Sequence, residues 1–296
     1  MRRRNFLNSA GLAAFSVSAL STISWDGKSY VADNPTTTDI LGPYYRPGSP
    51  MRSNLVPPGA KGKIMNLTGV VRAEDGKKTI AGVRLEAWQC DEQMKYDNTS
   101  DEYLYRGTVL TDAAGKYSFR TIVPIPYKDG NDWRPAHIHL RVSSPHHQDL
   151  ITQVYFTGDP YIAGDVASNT ASSASRILDI TSKSNGEHEV RFDITLGKTY
   201  QLDDAGFNKI CGLYQLKDGM VEFYRQDDLL FMKLNGQIME GMYYRGNNSF
   251  EGGQNFIRAR FDIQPSKEVS VKIDLWDIPS QPALKQQLEG VKTLKY

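Results

Sequence analysis

Trp133-Arg134-Pro135-Ala136-His137-Ile138-His139-Leu140 is the stretch from which the rest of the chain can be read. In a strand, residues i and i+2 share a face, so His137 and His139 can aim at one atom while Ile138 points into apolar packing. Leu140 and Val142 continue the alternation. Pro135 stands at the strand's entrance, where a missing N–H costs a ladder least. Imidazole is the commonest side-chain metal ligand. Two histidines at this spacing are still weak evidence alone, since a surface or hydrogen-bonded pair has the same pattern.

Outward from this strand lie further short segments with turn punctuation: Ile64–Arg72, Val83–Gln89, Thr108–Leu110, Lys116–Ile122, Leu150–Phe156 and Glu189–Leu196. No long amphipathic helix separates them. The spacing predicts an all-β domain over 61–203, an antiparallel β-sandwich. Ala167–Ser184, rich in Ser, Thr and Ala, reads as an outer loop with a short helical turn. After Leu202-Asp203-Asp204 the pattern restarts as short strands with Asn-Gly and Gly-Gly turns. Residues 204–296 therefore form a second small antiparallel β-domain, without a ligand set or nucleophile constellation of its own. Residues 26–60, rich in Pro, Gly, Ser, Thr and Asn, read as an extended arm.

The chain has 296 residues, with 40% hydrophobic and 23% charged, and a net charge of +1. Nothing in that balance points to nucleic acid or an anionic membrane surface. Two cysteines, Cys90 and Cys211, cannot build a cysteine-rich zinc site, and two separately buried thiols are the plainer reading than a bridge. Met1-Arg2-Arg3-Arg4-Asn5-Phe6-Leu7 followed by the apolar Ala10–Ile23 has the form of a twin-arginine export signal over residues 1–25. It predicts a periplasmic or extracellular protein, with no membrane contact beyond an uncleaved signal. His146 and His147 follow Ser144-Pro145 as a solvated turn, and His188 reads as surface. Any metal site must therefore recruit other ligands, and there are sixteen tyrosines to draw on.

Five motifs then occur in one order: Gly42–Asn54 (GPYYRPGSPMRSN), Gly82–Asp91, Thr111–Tyr127 (TDAAGKYSFRTIVPIPY), Asn131–Leu140 (NDWRPAHIHL) and Leu150–Ile162 (LITQVYFTGDPYI). Together they resemble the intradiol ring-cleavage dioxygenases over roughly 38–198, with the likeness nearest the protocatechuate 3,4-dioxygenase branch. The arm lacks the helical pattern that precedes the sandwich in catechol 1,2-dioxygenases. The resemblance implies one Fe(III) per catalytic domain, held by two tyrosinates and two histidines. His137 and His139 match the histidines and Tyr127 the second tyrosine. Tyr96 matches the first, with Tyr103 and Tyr105 as rivals, because the loop lacks the family's glycine. A hard trivalent ion suits anionic oxygen with imidazole.

Arg134 and Gln153 match pocket residues. Arg134 would stabilise charge developing on the ring. Gln153, polar in an otherwise apolar strand, needs a partner. Tyr44, Tyr45 and Trp133 are candidate walls of the substrate site. The implied reaction opens a catechol between its hydroxylated carbons with O2, giving a muconate-type diacid, with Tyr96 and Tyr127 also serving as bases. The family's habit of oligomerising carries over as an expectation. The competing readings are an exported binding or scaffold protein on the same sandwich with a degenerate site, and a site holding zinc or copper.

Overall fold

The structure is a computed structural model. It describes residues 35–198, 202–266, 268–276 and 284–293, together with the backbone of a short antiparallel ribbon, β1 (Ile23–Trp25) with β2 (Tyr30–Ala32). The rest of the export-signal reading lies outside the described residues. Among those described, no helix is long and apolar enough to cross a membrane.

Alternation builds two facing sheets. β3 (Ile64–Arg72) pairs with β6 (Lys116–Ile122) and turns Met65, Leu67 and Val71 inward. The other sheet is laid around β9 (His137–Ser143), flanked by β10 (Leu150–Phe156) and by β4 (Arg84–Trp88), which in turn pairs with β5 (Arg106–Leu110). Ile138, Leu140 and Val142 of β9 meet Leu85, Ala87, Leu150 and Val154 in the sandwich core. Between the sheets' strands, β7 (Tyr127–Asp129) and β8 (Asp132–Arg134) form a small hairpin turning at Gly130, whose φ is +62°.

The fold is all-β, as the pattern predicts, but not wholly antiparallel. β11 (Ile177–Leu178) runs parallel to β10; β13 (His188–Arg191) and β14 (Ile194–Thr195) run parallel to β3. A parallel neighbour needs a long crossover. Residues 157–176 supply one, ending in a 3-10 turn, Ala171–Arg176, capped by Thr170. β12 (Thr181–Ser182) closes the edge on β13.

A seven-residue helix, α1 (Asp204–Ile210), follows, with the Asp203 carboxylate accepting the Gly206 N–H at 2.7 Å. Such an N-cap satisfies a donor that the first turn would leave bare. The C-terminal strands then close on themselves: β15 (Gly212–Leu216), β16 (Met220–Gln226), β17 (Leu229–Leu234), β18 (Gln237–Tyr244), β19 (Ser249–Glu251), β20 (Ile257–Ile263), β21 (Val269–Trp276) and β22 (Leu284–Lys292), with β22 back on β15. Full closure removes the exposed edges that an open sheet would present. The sequence pattern predicts short antiparallel strands here, but neither α1 nor the closure. Val221, Phe223, Phe250, Phe261, Val271 and Ile273 fill the interior, and Phe207 and Ile210 of α1 join the same cluster, Phe207 against Phe250. The barrel is thus a packed core. A third cluster joins the two domains: Leu41 and Tyr45 of the arm, Trp88 and Ile151 of the sandwich, and Leu229, Phe231 and Tyr243 of the barrel.

Candidate metal centre

Alternation puts Ile138, Leu140 and Val142 on one face of β9 and His137, His139 and Arg141 on the other. A lone amphipathic strand of this kind would normally show its polar face to water. Here every residue of β9 is buried. The second face is covered by the arm, the loop carrying Tyr96, and the barrel. Register lays neighbours beside each histidine: Gln153 and Trp88 flank His139, and Tyr155 flanks His137. The Trp88 indole stacks on the His139 ring, centroids 4.8 Å apart and planes 6° from parallel.

The Tyr96 loop has no glycine, and two aspartates shape it instead. The Asp91 carboxylate accepts the N–H groups of Gln93 and Lys95, both at 2.8 Å; the Asp97 carboxylate accepts those of Ser100 at 2.9 Å and Leu104 at 2.7 Å. Side-chain oxygens of this kind hold tight turns. Met94, Tyr103 and Tyr105 sit at φ between 52° and 65°. That is a costly conformation for side-chain-bearing residues, and it clusters at functional loops. Tyr127 arrives by the β7–β8 hairpin, in which it pairs directly with Arg134.

The donor atoms converge. His137 Nε2 lies 3.1 Å from His139 Nε2 and 3.2 Å from the Tyr96 hydroxyl. The Tyr127 ring packs edge-on to Tyr96 with centroids 5.5 Å apart, and its centroid lies 5.4 Å from that of His137. Metal–nitrogen bonds of about 2.0–2.1 Å place neighbouring ligands on one ion about 3 Å apart, so the spacing fits a shared metal. His137 Nδ1–H donates to the Pro135 carbonyl at 2.7 Å, which leaves Nε2 as the lone pair. Burial holds His137 down to about 3, and burial with His137 alongside holds His139 well below the usual imidazole value. Both rings are therefore neutral, as ligands must be. Burial raises both phenols. A multivalent cation within bonding distance reverses that preference, as it does for bound thiols and water. Among the described residues no group of three or more His, Cys, Asp and Glu could hold a metal, so a mixed tyrosine–histidine set is the one on offer.

Arg134 lies beside this set. Its Nε donates to Asp165 at 2.6 Å and its Nη2 to Gln153 Oε1 at 3.2 Å. Burial alone would weaken this cation, but Tyr155, Asp165, Tyr127 and Asp39 more than offset it. Gln153 is fully engaged: Oε1 also accepts from Tyr155 at 3.0 Å, and Nε2 donates to the Ile40 carbonyl at 2.8 Å.

Tyr96 is the tyrosine of its loop that reaches the histidines. The Tyr103 hydroxyl donates to Pro47 O and that of Tyr105 to Glu92. Tyr44 stacks on Tyr96 at 4.4 Å, a wall of the site. Tyr45 does not line it. It is 6% exposed, packs between Trp88 and Phe231, and hydrogen-bonds Glu86 and Arg141. The two adjacent tyrosines of an extended arm point opposite ways, and the barrel takes the second. Trp133 is also outside. It faces away from its neighbour Arg134, is 37% exposed, and stacks on Tyr161. His147 hydrogen-bonds with Ser144 and His188 with Ser182, both away from the site. Cys90 and Cys211 are free thiols. Sequence reasoning missed Asp165, Arg141 and Glu86. For Arg141 and Glu86 the one available signal was charge in buried strands, which becomes visible only when the second face is known to be covered; Asp165 lies in the loop after the 3-10 turn Ile162–Gly164, where no strand pattern marks it.

The dioxygenase family model matches residues 40–198, more than half of the chain, and this span carries all four candidate ligands. The chain belongs to the intradiol ring-cleavage dioxygenase family. Among relatives, this intradiol dioxygenase is 33% identical over 206 residues to chlorocatechol 1,2-dioxygenase of Rhodococcus opacus, covering 62% of this chain and 75% of that one. It is 36% identical over 161 residues to catechol 1,2-dioxygenase of Candida albicans, covering 45% of this chain and 50% of that one. Of solved structures, the dioxygenase domain of a dioxygenase–carbohydrate-binding protein fusion from Streptomyces sp. SirexAA-E is 32% identical. That match has a TM-score of 0.50 and covers 56% of this chain and all of that one. The chain thus spans between half and three quarters of these two curated relatives. Their names are catechol and chlorocatechol ones, so the likeness to the protocatechuate branch gains nothing from them. The barrel lies beyond the matched span.

Proposed function

We propose that this chain is a non-haem Fe(III) intradiol dioxygenase, opening a catechol-type ring between its two hydroxylated carbons with O2 to give a muconate-type diacid. The observation that carries the reading is the convergence of three donors at 3.1–3.2 Å, with the Tyr127 ring packed edge-on against Tyr96 beside them. Tyr96, Tyr127, His137 and His139 would hold the metal. Bound Fe(III) supplies a hard Lewis-acid centre that takes the catechol oxygens and makes the ring reactive toward O2.

The protein's own groups do the rest. The Pro135 carbonyl fixes the His137 tautomer. A phenolate oxygen of the tyrosine pair accepts a catechol hydroxyl proton, a role suited to a group already beside the bound oxygens. The Arg134 guanidinium, oriented by Asp165 and Gln153, presents a fixed positive charge toward the negative charge that grows on the ring. Such preorganised charge acts strongly where water is excluded. Tyr44 stacks over Tyr96 and, with the Leu41–Gly42 backbone, shields that side from solvent. Export by the twin-arginine route belongs to the same proposal, resting on Arg3-Arg4 and the apolar run after them.

The test is product analysis under 18O2 with catechol, 4-chlorocatechol, hydroxyquinol and protocatechuate. The reading expects a diacid carrying an isotopic oxygen in each carboxyl from at least one of them. No oxygen uptake with any, in iron-loaded protein, would favour a binding protein built on the same sandwich.

A further inference from the structure

The barrel lies outside the span that matches the dioxygenase family, yet it touches the site's own arm through backbone. The arm residues Asp39–Tyr45 lie between the two. On the site side, the Ile40 carbonyl accepts from Gln153 at 2.8 Å. A Cβ on Gly42 would stand 3.1 Å from His139 Cε1, so this backbone is pressed against the ring. Tyr44 stacks on Tyr96.

On the barrel side, the Leu41 N–H donates to both carboxylate oxygens of Glu240, at 3.1 and 3.3 Å, and Gly241 N–H donates to the same group at 3.0 Å. Glu240 is buried, and the charged group facing it is the like-charged Asp39 rather than a cation. A buried carboxyl without a cation is costly unless its hydrogen bonds matter to the fold. A second contact is independent of it. A Cβ on Gly253 would fall 1.8 Å from the Asp39 carbonyl oxygen and 2.9 Å from Ile40 N, so barrel backbone lies directly on arm backbone. Leu229, Phe231 and Tyr243 complete the seat around Leu41 and Tyr45, and the Tyr243 hydroxyl accepts the Ile151 N–H at 2.7 Å.

We infer that the barrel is a working part of the dioxygenase site, in which Glu240 and the Gly253 backbone hold the arm Asp39–Tyr45 against His139, Gln153 and Tyr96. Glu240 is a positioning residue: it reaches the chemistry only through the arm. The inference rests on the proposed metal reading for its catalytic consequence alone; the arm's seating stands without it. It also gives the appended domain a task that a packed interior cannot perform by binding a ligand inside.

The test uses the full chain with three substitutions: Glu240→Gln, which keeps an acceptor for Leu41; Glu240→Ala, which removes it; and Gly253→Ala, which forces the backbones apart. Amide hydrogen exchange is read over 38–46 in metal-free protein, with 150–156 and the barrel strands as internal references. Exchange over 38–46 should rise about ten-fold or more in Glu240→Ala and Gly253→Ala, leave 150–156 nearly unchanged, and stay near the parent level in Glu240→Gln. In iron-loaded protein Glu240→Ala and Gly253→Ala should raise the catechol KM and alter the visible band of the metal site, while Glu240→Gln leaves both near the parent values. Unchanged exchange over 38–46, or a rise spread evenly over the chain, would overturn the inference. If Glu240→Ala does not fold, the pair Gly253→Ala and Glu240→Gln decides. If no iron is bound at all, the exchange results still stand or fall by themselves, and the failure belongs to the metal reading.

Discussion

Gly42→Ala tests how closely the arm governs the metal ligands. The backbone at Gly42 has φ +77°, and an added Cβ would lie 3.1 Å from His139 Cε1 and 3.8 Å from Nε2. Carbon atoms in ordinary contact stand about 3.5–4.0 Å apart, so arm and ring must separate by roughly half an ångström. The left-handed backbone adds a cost of about 1–2 kcal/mol for any residue with a Cβ. Gly59 separates the two effects, since it has φ +82° and nothing within 4 Å of an added Cβ. Gly59→Ala should therefore lose stability alone, a few degrees of Tm, while Gly42→Ala loses the same and also disturbs His139. A misplacement of 1 Å can cost about 10²-fold in rate, so half of that predicts a fall in kcat of about ten-fold. The assay is kcat with saturating catechol, iron content and thermal melting for both variants. Equal kcat and equal iron content in the two would refute the claim that the arm sets the position of His139.

Other outcomes follow from the same geometry. Arg134→Ala should lower kcat by about 10²-fold, as losing one preorganised group does elsewhere, and Asp165→Asn by less, because it only loosens Arg134; steady-state kinetics checks both. Trp133→Ala should leave kcat for catechol within about two-fold and cost under about 0.5 kcal/mol in denaturant unfolding, since the ring is partly exposed and outside the site. Phe231→Ala should cost about 3–5 kcal/mol by removing the centre of the interdomain cluster, and calorimetry should then show sandwich and barrel melting apart. Burial holds the Glu240 carboxyl up to about 8, above its ordinary 4.5. A carboxyl raised in the folded state stabilises the fold at low pH and loses that contribution as pH rises to the folded value. Unfolding free energy should therefore fall from about pH 5 to about pH 8, by at most about 1.4 kcal/mol per unit, and Glu240→Gln should flatten that slope.

Much of the sandwich could be read from its sequence because its signal is local. His137, Ile138 and His139 alternate along one strand, and alternation fixes which side chains share a face. The order of motifs then supplied Tyr96, Tyr127, Arg134 and Gln153 together. What escaped is what depends on contacts distant in sequence. Leu41 bonds to Glu240 across 199 positions, and no periodicity announces such a pair. Tyr44 and Tyr45 look equivalent in sequence; the barrel face of Phe231 draws the second away from the pocket. The barrel's closure depends on β22 returning to β15, which pattern alone does not encode.

The most direct measurement of the central claim is the visible absorption spectrum of purified protein with iron quantified, before and after catechol is added under nitrogen. The account predicts one iron per chain, a red-brown tyrosinate-to-Fe(III) band that is lost or displaced in Tyr96→Phe and Tyr127→Phe, and a shift of that band on adding catechol. A protein that stays colourless after Fe(III) reconstitution, with no change on catechol, would contradict it.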